Sequence, residues 1–229
     1  TFSRDFGLSS SFELVLDSKS FLRQTVDLLI EKAGSDAKLT EVLLRFVTFK
    51  SDQDKSWDVA IDLNKIAELI YNENHYEPLL DIGNKSWADF QDLEKSLQQK
   101  KQLVFQELIL QTKELQQQLR AAQIEPSSFS YGELPKHIEK VLDGKWEGLP
   151  GTRLCGQIEK RALLKKTARS QDHASIEKLY PVVEVWLSAL NQHVPTLNQT
   201  DAFLAQLVPL SVLNAIQQSL QELQEEQNS

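Results

Sequence analysis

Five cations, Lys160, Arg161, Lys165, Lys166 and Arg169, fall within ten residues of one another. Helical spacing is expected from Gln157 to Ala168, and continued through the cluster it sets Arg161, Lys165 and Arg169 on one face with Lys166 beside them. A row of point charges at that pitch suits a phosphate backbone and would give strongly salt-dependent binding; a solvated helix face is the alternative. The surrounding block, 136–178, carries a net charge of +4, between a stretch of −7 before it and one of −5 after it. Lys136, Lys140 and Lys145 extend the basic patch as second-rank phosphate contacts. Overall acidity argues against non-specific coating of nucleic acid, yet a local stripe is enough to meet a phosphate backbone.

Other reactive constellations are missing. No GxxxxGK[ST] phosphate loop occurs, and Gly148, Gly151 and Gly156 around Arg153 read as a surface turn. His75, His137, His173 and His193 are scattered without metal-ligand spacing and read as solvated or capping residues; Cys155 stands alone, and there is no GxSxG nucleophile elbow. The acid pairs Asp58/Asp62 and Glu73/Glu77 lie one helical turn apart, a spacing common on solvated helix faces. Trp146 reads as a core anchor in preference to a base-stacking residue.

The elements that must carry the patch are helical. With 8 Gly and 7 Pro among 229 residues, breakers are about half as frequent as in an average globular chain. A composition of 41% apolar and 25% charged residues supports a real core and excludes collagen-like and disordered classes. A single Cys excludes an intrachain disulfide framework and points to a reducing, cytoplasmic setting. No apolar run reaches the ~18 residues of a membrane span, so no membrane partner is expected. The N-terminus lacks the pattern of a signal peptide. The chain contains no Met, so it reads as a segment excised from a longer protein.

Phe12 to Leu16 reads as a short extended entry, followed by a helix from Asp17-Ser18 with Phe21, Thr25, Leu28 and Leu29 as its apolar positions, ending at Gly34. Ser35-Asp36 opens a second helix with the stripe Leu39, Val42, Leu43 and Phe46, and Ser56 caps a third containing Trp57, Ile61, Ile66, Leu69 and Ile70. Ser86-Trp87-Ala88-Asp89 resembles a capping box with Asp in place of Glu. No breaker follows until Pro126, which allows one helix of about 36 residues, ~54 Å long. One apolar stripe, Phe90 to Leu119, and nine Gln between Gln98 and Gln123 make it a polar arm or strut. After the loop Glu125 to Gly132, Pro135 opens a short helix to Leu142 that closes on Gly144. Further helical spacing runs from Ala174 to Gln192 and from Thr196 to Glu226, with a kink or break expected at Pro181 and Pro209 and fraying from Gln217. The expected fold is all-α: a helical bundle with one long projecting antiparallel helix arm and no significant sheet. Its expected parts are an entry segment, 1–16, helical hairpins and arm, 17–125, and a basic section with kinked helices, 126–229, or one domain spanning 1–229.

The order of segments resembles a known family. Thr1 to Leu8 with Ser11-Phe12-Glu13-Leu14, then Lys55-Ser56-Trp57-Asp58 after paired helices, then Gly132-Glu133-Leu134-Pro135-Lys136 through Asp143-Gly144-Lys145-Trp146-Glu147, resemble UvrD-type, RecB-like superfamily 1 DNA helicases. The resemblance covers nearly all of residues 1–229 and concerns the helical insertion called subdomain 1B, which lies within the first RecA-like motor domain. It implies a parent that is an ATP-dependent 3'-to-5' DNA helicase, or a helicase-nuclease, acting in DNA repair and recombination. In that family 1B touches duplex DNA near the fork, so DNA and the flanking motor domains are the implied partners. The segment itself has no Walker A, Walker B or nuclease motif, so it is expected to be non-enzymatic and to carry no cofactor, with ATP and Mg in the parent's motor domains. The competing expectation is a stand-alone helical protein-interaction scaffold that docks through the Gln-rich arm.

Overall fold

The computed structural model describes residues 18–51, 58–71 and 76–227. The described residues are all-α, with no strand among them and only isolated bridges, one of which pairs Phe129 with Leu164 antiparallel. The extended entry expected at 12–16 lies outside the described residues, as do Ser56 and Trp57.

The chain forms two compact units. The first comprises residues 1–91 and 206–229. Its helices are α1 (Ser18–Lys32), α2 (Ala37–Ser51), α3 (Val59–Ala67) and α4 (Tyr76–Gly83), joined by the C-terminal part of α8 (Ser170–Gln227). Local chemistry explains their ends. Gly34 takes the left-handed conformation that terminates a helix, φ +92°, and Asp36 caps α2 by accepting from the backbone of Lys38 at 2.8 Å and Leu39 at 3.1 Å. The N-cap of α3 is Asp58, which accepts from the Ile61 amide at 3.1 Å.

All four residues of the expected α2 stripe are buried. The core face of α1 is turned by about one residue from expectation, to Leu22, Thr25, Val26 and Leu29. Helix α3 buries Leu63 and Ala67 and exposes Ile61, while Leu69 and Ile70, expected in the same helix, fall in the 3-10 helix Glu68–Tyr71 that follows, where Leu69 is exposed. Val212, Ile216 and Leu220 of α8 complete this core. The expected fraying from Gln217 is therefore corrected. Leu220 is buried, the Gln217 side chain donates to the Leu79 carbonyl at 3.1 Å, and Glu222 pairs with Lys32 at 2.8 Å. Asn214 adds donors to the carbonyls of Ile82 and Lys85.

The second unit comprises residues 92–205. It holds most of α5 (Trp87–Ala121), the short helices α6 (Glu133–Leu142) and α7 (Thr152–Glu159), and α8 up to residue 205. The capping box at the start of α5 is present: the Ser86 amide donates to the Asp89 carboxylate at 2.7 Å and the Asp89 amide to the Ser86 hydroxyl at 3.3 Å. At 35 residues, α5 is about 52 Å long.

Within this unit α8 runs antiparallel along the arm. Trp186 meets Thr112, His193 lies by Glu107 and Lys101 pairs with Asp201, so one helix descends as the other rises. The buried stripe of α5, Leu108, Leu115 and Leu119, packs with Leu134, Ile138 and Val141 of α6 and with Leu154 and Ile158 of α7. The facing stripe of α8 is Ile176, Tyr180, Val183, Trp186, Leu190, Val194 and Leu197, at the three- and four-residue steps that one helix face requires.

Of the kink or break expected at Pro181 and Pro209, the break does not occur. Helix α8 runs unbroken through both and through Pro195. Each Pro deprives the carbonyl four residues earlier, on Glu177, Asn191 and Ala205, of its main-chain donor. Buried positions on both sides of each Pro, such as Tyr180 and Val183 around Pro181, tie the flanking turns to one face and offset that loss.

Candidate functional site

The expected helix through the cation cluster is also corrected. Helix α7 ends at Glu159, and residues 160–169 form a connecting loop in which Arg161 adopts a left-handed backbone, φ +48°. The loop must turn because Leu163 and Leu164 are both buried, which a helix face pointing outward would not allow. It is pinned to the Pro126–Gly132 segment by two backbone bonds, Ser130 N–H to the Leu163 carbonyl at 2.8 Å and Lys165 N–H to the Ser128 carbonyl at 2.9 Å. The cation spacing along the sequence therefore does not set the spacing in space.

The cluster divides into two groups. Arg169 is structural. Its guanidinium grips Asp172 through Nε at 3.2 Å and Nη2 at 2.8 Å and also donates to the Gln123 carbonyl at 3.0 Å, tying the end of α5 to the start of α8. Asp172, 1% exposed, further accepts from the Ser128 hydroxyl at 3.0 Å. The Arg169 hydrogen bond, aided by Ser128, holds the Asp172 carboxyl below the usual carboxylate range. Arg161 pairs with Glu177 at 3.0 Å and lies 5.1 Å over the ring of Tyr180. Burial raises the Tyr180 phenol above its ordinary value, and its oxygen accepts from the Leu163 amide at 3.3 Å.

The lysines differ. Lys160, Lys165 and Lys166 are exposed and form no ion pair among the described residues. Among the second-rank residues, Lys136 donates to the Tyr131 carbonyl at 3.0 Å, Lys145 meets Asp143 at 3.3 Å, and Lys140 is exposed with no such partner among the described residues.

Beside this loop, Phe129 is buried and Tyr131 is 70% exposed with a left-handed backbone, φ +55°. Arg153 of α7 lies 5.1 Å over the Tyr131 ring and pairs with Glu133 at 3.3 Å. Tyr131 carries no signal of its own in the sequence, where its surroundings read only as loop.

The remaining candidates have structural roles. His137 is buried and not solvated: its Nε2 accepts from the Gly151 amide at 3.1 Å and its Nδ1 lies 2.7 Å from the Glu133 carbonyl, which calls for the Nδ1–H tautomer. Gly148, φ +72°, and Gly151, the N-cap of α7, belong to the turn expected there, whereas Arg153 and Gly156, expected in the same turn, lie inside α7, which begins at Thr152. Asp62 is bound by Lys50 at 2.7 Å, which lowers its carboxyl, while Asp58 caps α3; Glu73 and His75 lie outside the described residues. Trp146 packs on the core beside Phe105, with ring centroids 5.2 Å apart. Among the described residues no group of three or more His, Cys, Asp or Glu is arranged to hold a metal ion, and no helix is long and apolar enough to cross a membrane.

No family model matches the chain, and no curated protein or solved structure matches it.

Proposed function

We propose that this chain is the DNA-engaging helical insertion of an ATP-dependent 3'-to-5' DNA helicase acting in repair or recombination, meeting duplex DNA near the fork. Three cations, Lys160, Lys165 and Lys166, exposed and without an ion pair among the described residues, stand on a loop pinned by backbone hydrogen bonds and carry the reading. Rigid mounting lowers the entropy lost when the side chains meet phosphates, and their charge is available to a ligand. The segment order that resembles UvrD-type, RecB-like helicases supplies the parent. ATP and Mg belong, in this reading, to the parent's motor domains, which are the chain's partners together with DNA.

Fluorescence anisotropy of a labelled forked duplex with the 229-residue chain tests this. Three phosphate contacts contribute a slope of about −2.7 in log K against log salt, or about fortyfold in affinity between roughly 50 and 200 mM. Replacing Lys160, Lys165 and Lys166 by Glu should abolish that component. Fork affinity and slope unchanged by the triple substitution would remove these residues from any DNA interface.

A second reading, a protein-interaction scaffold, is favoured by Leu103 and Leu110, which stand seven residues apart on α5, 66% and 69% exposed. Such a spacing is two helical turns, the repeat of a helix-docking seam. Loss of self-association or partner capture on Leu103→Glu/Leu110→Glu, with DNA binding absent, would favour it.

A further inference from the structure

We infer that Tyr131 is a stacking platform for an unpaired nucleic-acid base, with Arg153 closing the opposite face of its ring. The inference rests on the reading of the basic section as a DNA surface and adds to it a chemistry that phosphate contacts do not supply, namely distinguishing single-stranded from paired DNA.

The backbone at Tyr131 is the first observation. Its φ of +55° is a conformation favoured by Gly or Asn and uncommon for a bulky aromatic. A core role would explain an aromatic at a strained position, but here the ring is 70% exposed. The neighbour Phe129 supplies the buried anchor instead. Tyr131 is thus presented outward at a conformational cost that burial in the core does not repay.

The second observation is how firmly it is presented. The Ser130 amide donates to Leu163, the Ser130 carbonyl accepts from Gln157 at 3.2 Å, and the Tyr131 carbonyl accepts from Lys136 at 3.0 Å. Gly132 continues the turn with φ +66° and donates back to Phe129. A ring held this way loses little freedom when a base settles on it.

The third observation is the charge around the ring. Arg153 covers one face at 5.1 Å, and Glu133 engages only its Nη1, so further guanidinium donors stay available to a phosphate. Lys136 lies at the base of the loop, and Lys165 hangs from the strand-like pairing with Ser128. An aromatic face flanked by cations is the general arrangement that binds single strands, base on ring and phosphate on cation. Inside a duplex each base is stacked on both sides and cannot use it, and only the two terminal pairs of a blunt duplex leave a face open.

The test compares a 20-nucleotide oligothymidylate with a blunt duplex of equal length, using the 229-residue chain and its Tyr131→Phe, Tyr131→Ala and Tyr131→Gly variants. Tyr131→Phe should bind as the parent does. Tyr131→Ala and Tyr131→Gly should lose about tenfold or more for the single strand, the usual effect of removing one stacked base, with duplex affinity unchanged. Because Gly relieves the left-handed strain, Tyr131→Gly should keep or raise the melting temperature, so weaker binding there does not come from misfolding. Single-strand binding unaffected in Tyr131→Ala and Tyr131→Gly, or single-strand and duplex binding falling together, would overturn the platform. In that case a duplex affinity still lost on the Lys160, Lys165 and Lys166 substitutions leaves the proposed function standing. Absence of binding to either probe by the parent chain overturns both.

Discussion

The arm and α8 are joined in the second unit by a buried hydrogen-bond relay whose removal has a calculable effect. The Trp186 indole N–H donates to the Thr112 hydroxyl at 2.9 Å, and that hydroxyl donates to the Leu108 carbonyl at 2.7 Å. Thr112 is fully buried and Trp186 is 1% exposed, so water cannot replace either partner. Thr112→Val keeps the shape and strands the indole donor. An orphaned buried donor costs about 1–3 kcal/mol, and the added methyl returns about 0.8 kcal/mol. The net loss is about 0.2–2.2 kcal/mol, or up to roughly 9 °C in melting temperature for a unit of this size. The Leu108 carbonyl keeps its helical partner, the Thr112 amide, and adds little to the loss. Circular dichroism during thermal and urea unfolding measures it, and a double-mutant cycle with Trp186→Phe isolates it. With no indole N–H present, Thr112→Val should cost under about 0.5 kcal/mol, because removing both partners is nearly neutral. Equal losses from Thr112→Val in the parent chain and in the Trp186→Phe variant would show that the relay does not hold the two helices together and that packing alone does.

Three further outcomes follow from particular contacts. A Cβ at Gly151 would sit 3.1 Å from Nε2 of His137, so Gly151→Ala should displace the bridging ring and destabilise by about 1–3 kcal/mol in urea titration; an unchanged midpoint would show that the ring has room to yield. Asp172 has a folded-state pKa below its unfolded value, so its contribution is present above the unfolded pKa and is lost as pH falls through the folded one. Acid unfolding of the parent should therefore be steeper there than in Asp172→Asn, and identical acid limbs would refute the linkage. Pro195 is an exposed residue inside α8, so Pro195→Ala restores a donor for the Asn191 carbonyl and should stabilise by up to about 3 kcal/mol; a lower melting temperature would mean that the chain is built around the ring.

Much of the helical framework was legible because its signals are local. Gly34 stops one helix, Asp36 starts the next, and the Ser86/Asp89 box opens α5, each through bonds that span only a few residues. The stripe Leu39, Val42, Leu43 and Phe46 is equally local, because helical pitch alone puts those side chains on one face. The cation cluster was visible as composition but misread as geometry. Helical spacing across residues 160–169 competes with the burial of Leu163 and Leu164 and with a bridge to residues 128–130 more than thirty positions earlier, and those distant contacts win. Asp172 stands only three residues from Arg169, a local pairing, but nothing near Arg161 in the chain reveals that Glu177 binds its charge while the three lysines keep theirs open to solvent.

The all-α class, the ends of α1, the start of α2 and the length of the arm were thus written in the order of residues, since capping, propensity and pitch act within a turn or two. Long-range packing was needed to carry α8 through three prolines, to close the core begun by Leu22 and Phe46 with Val212, Ile216 and Leu220, and to leave Tyr131 exposed beside Arg153. These outcomes depend on which distant surfaces exclude water from one another, a quantity no local window of residues contains.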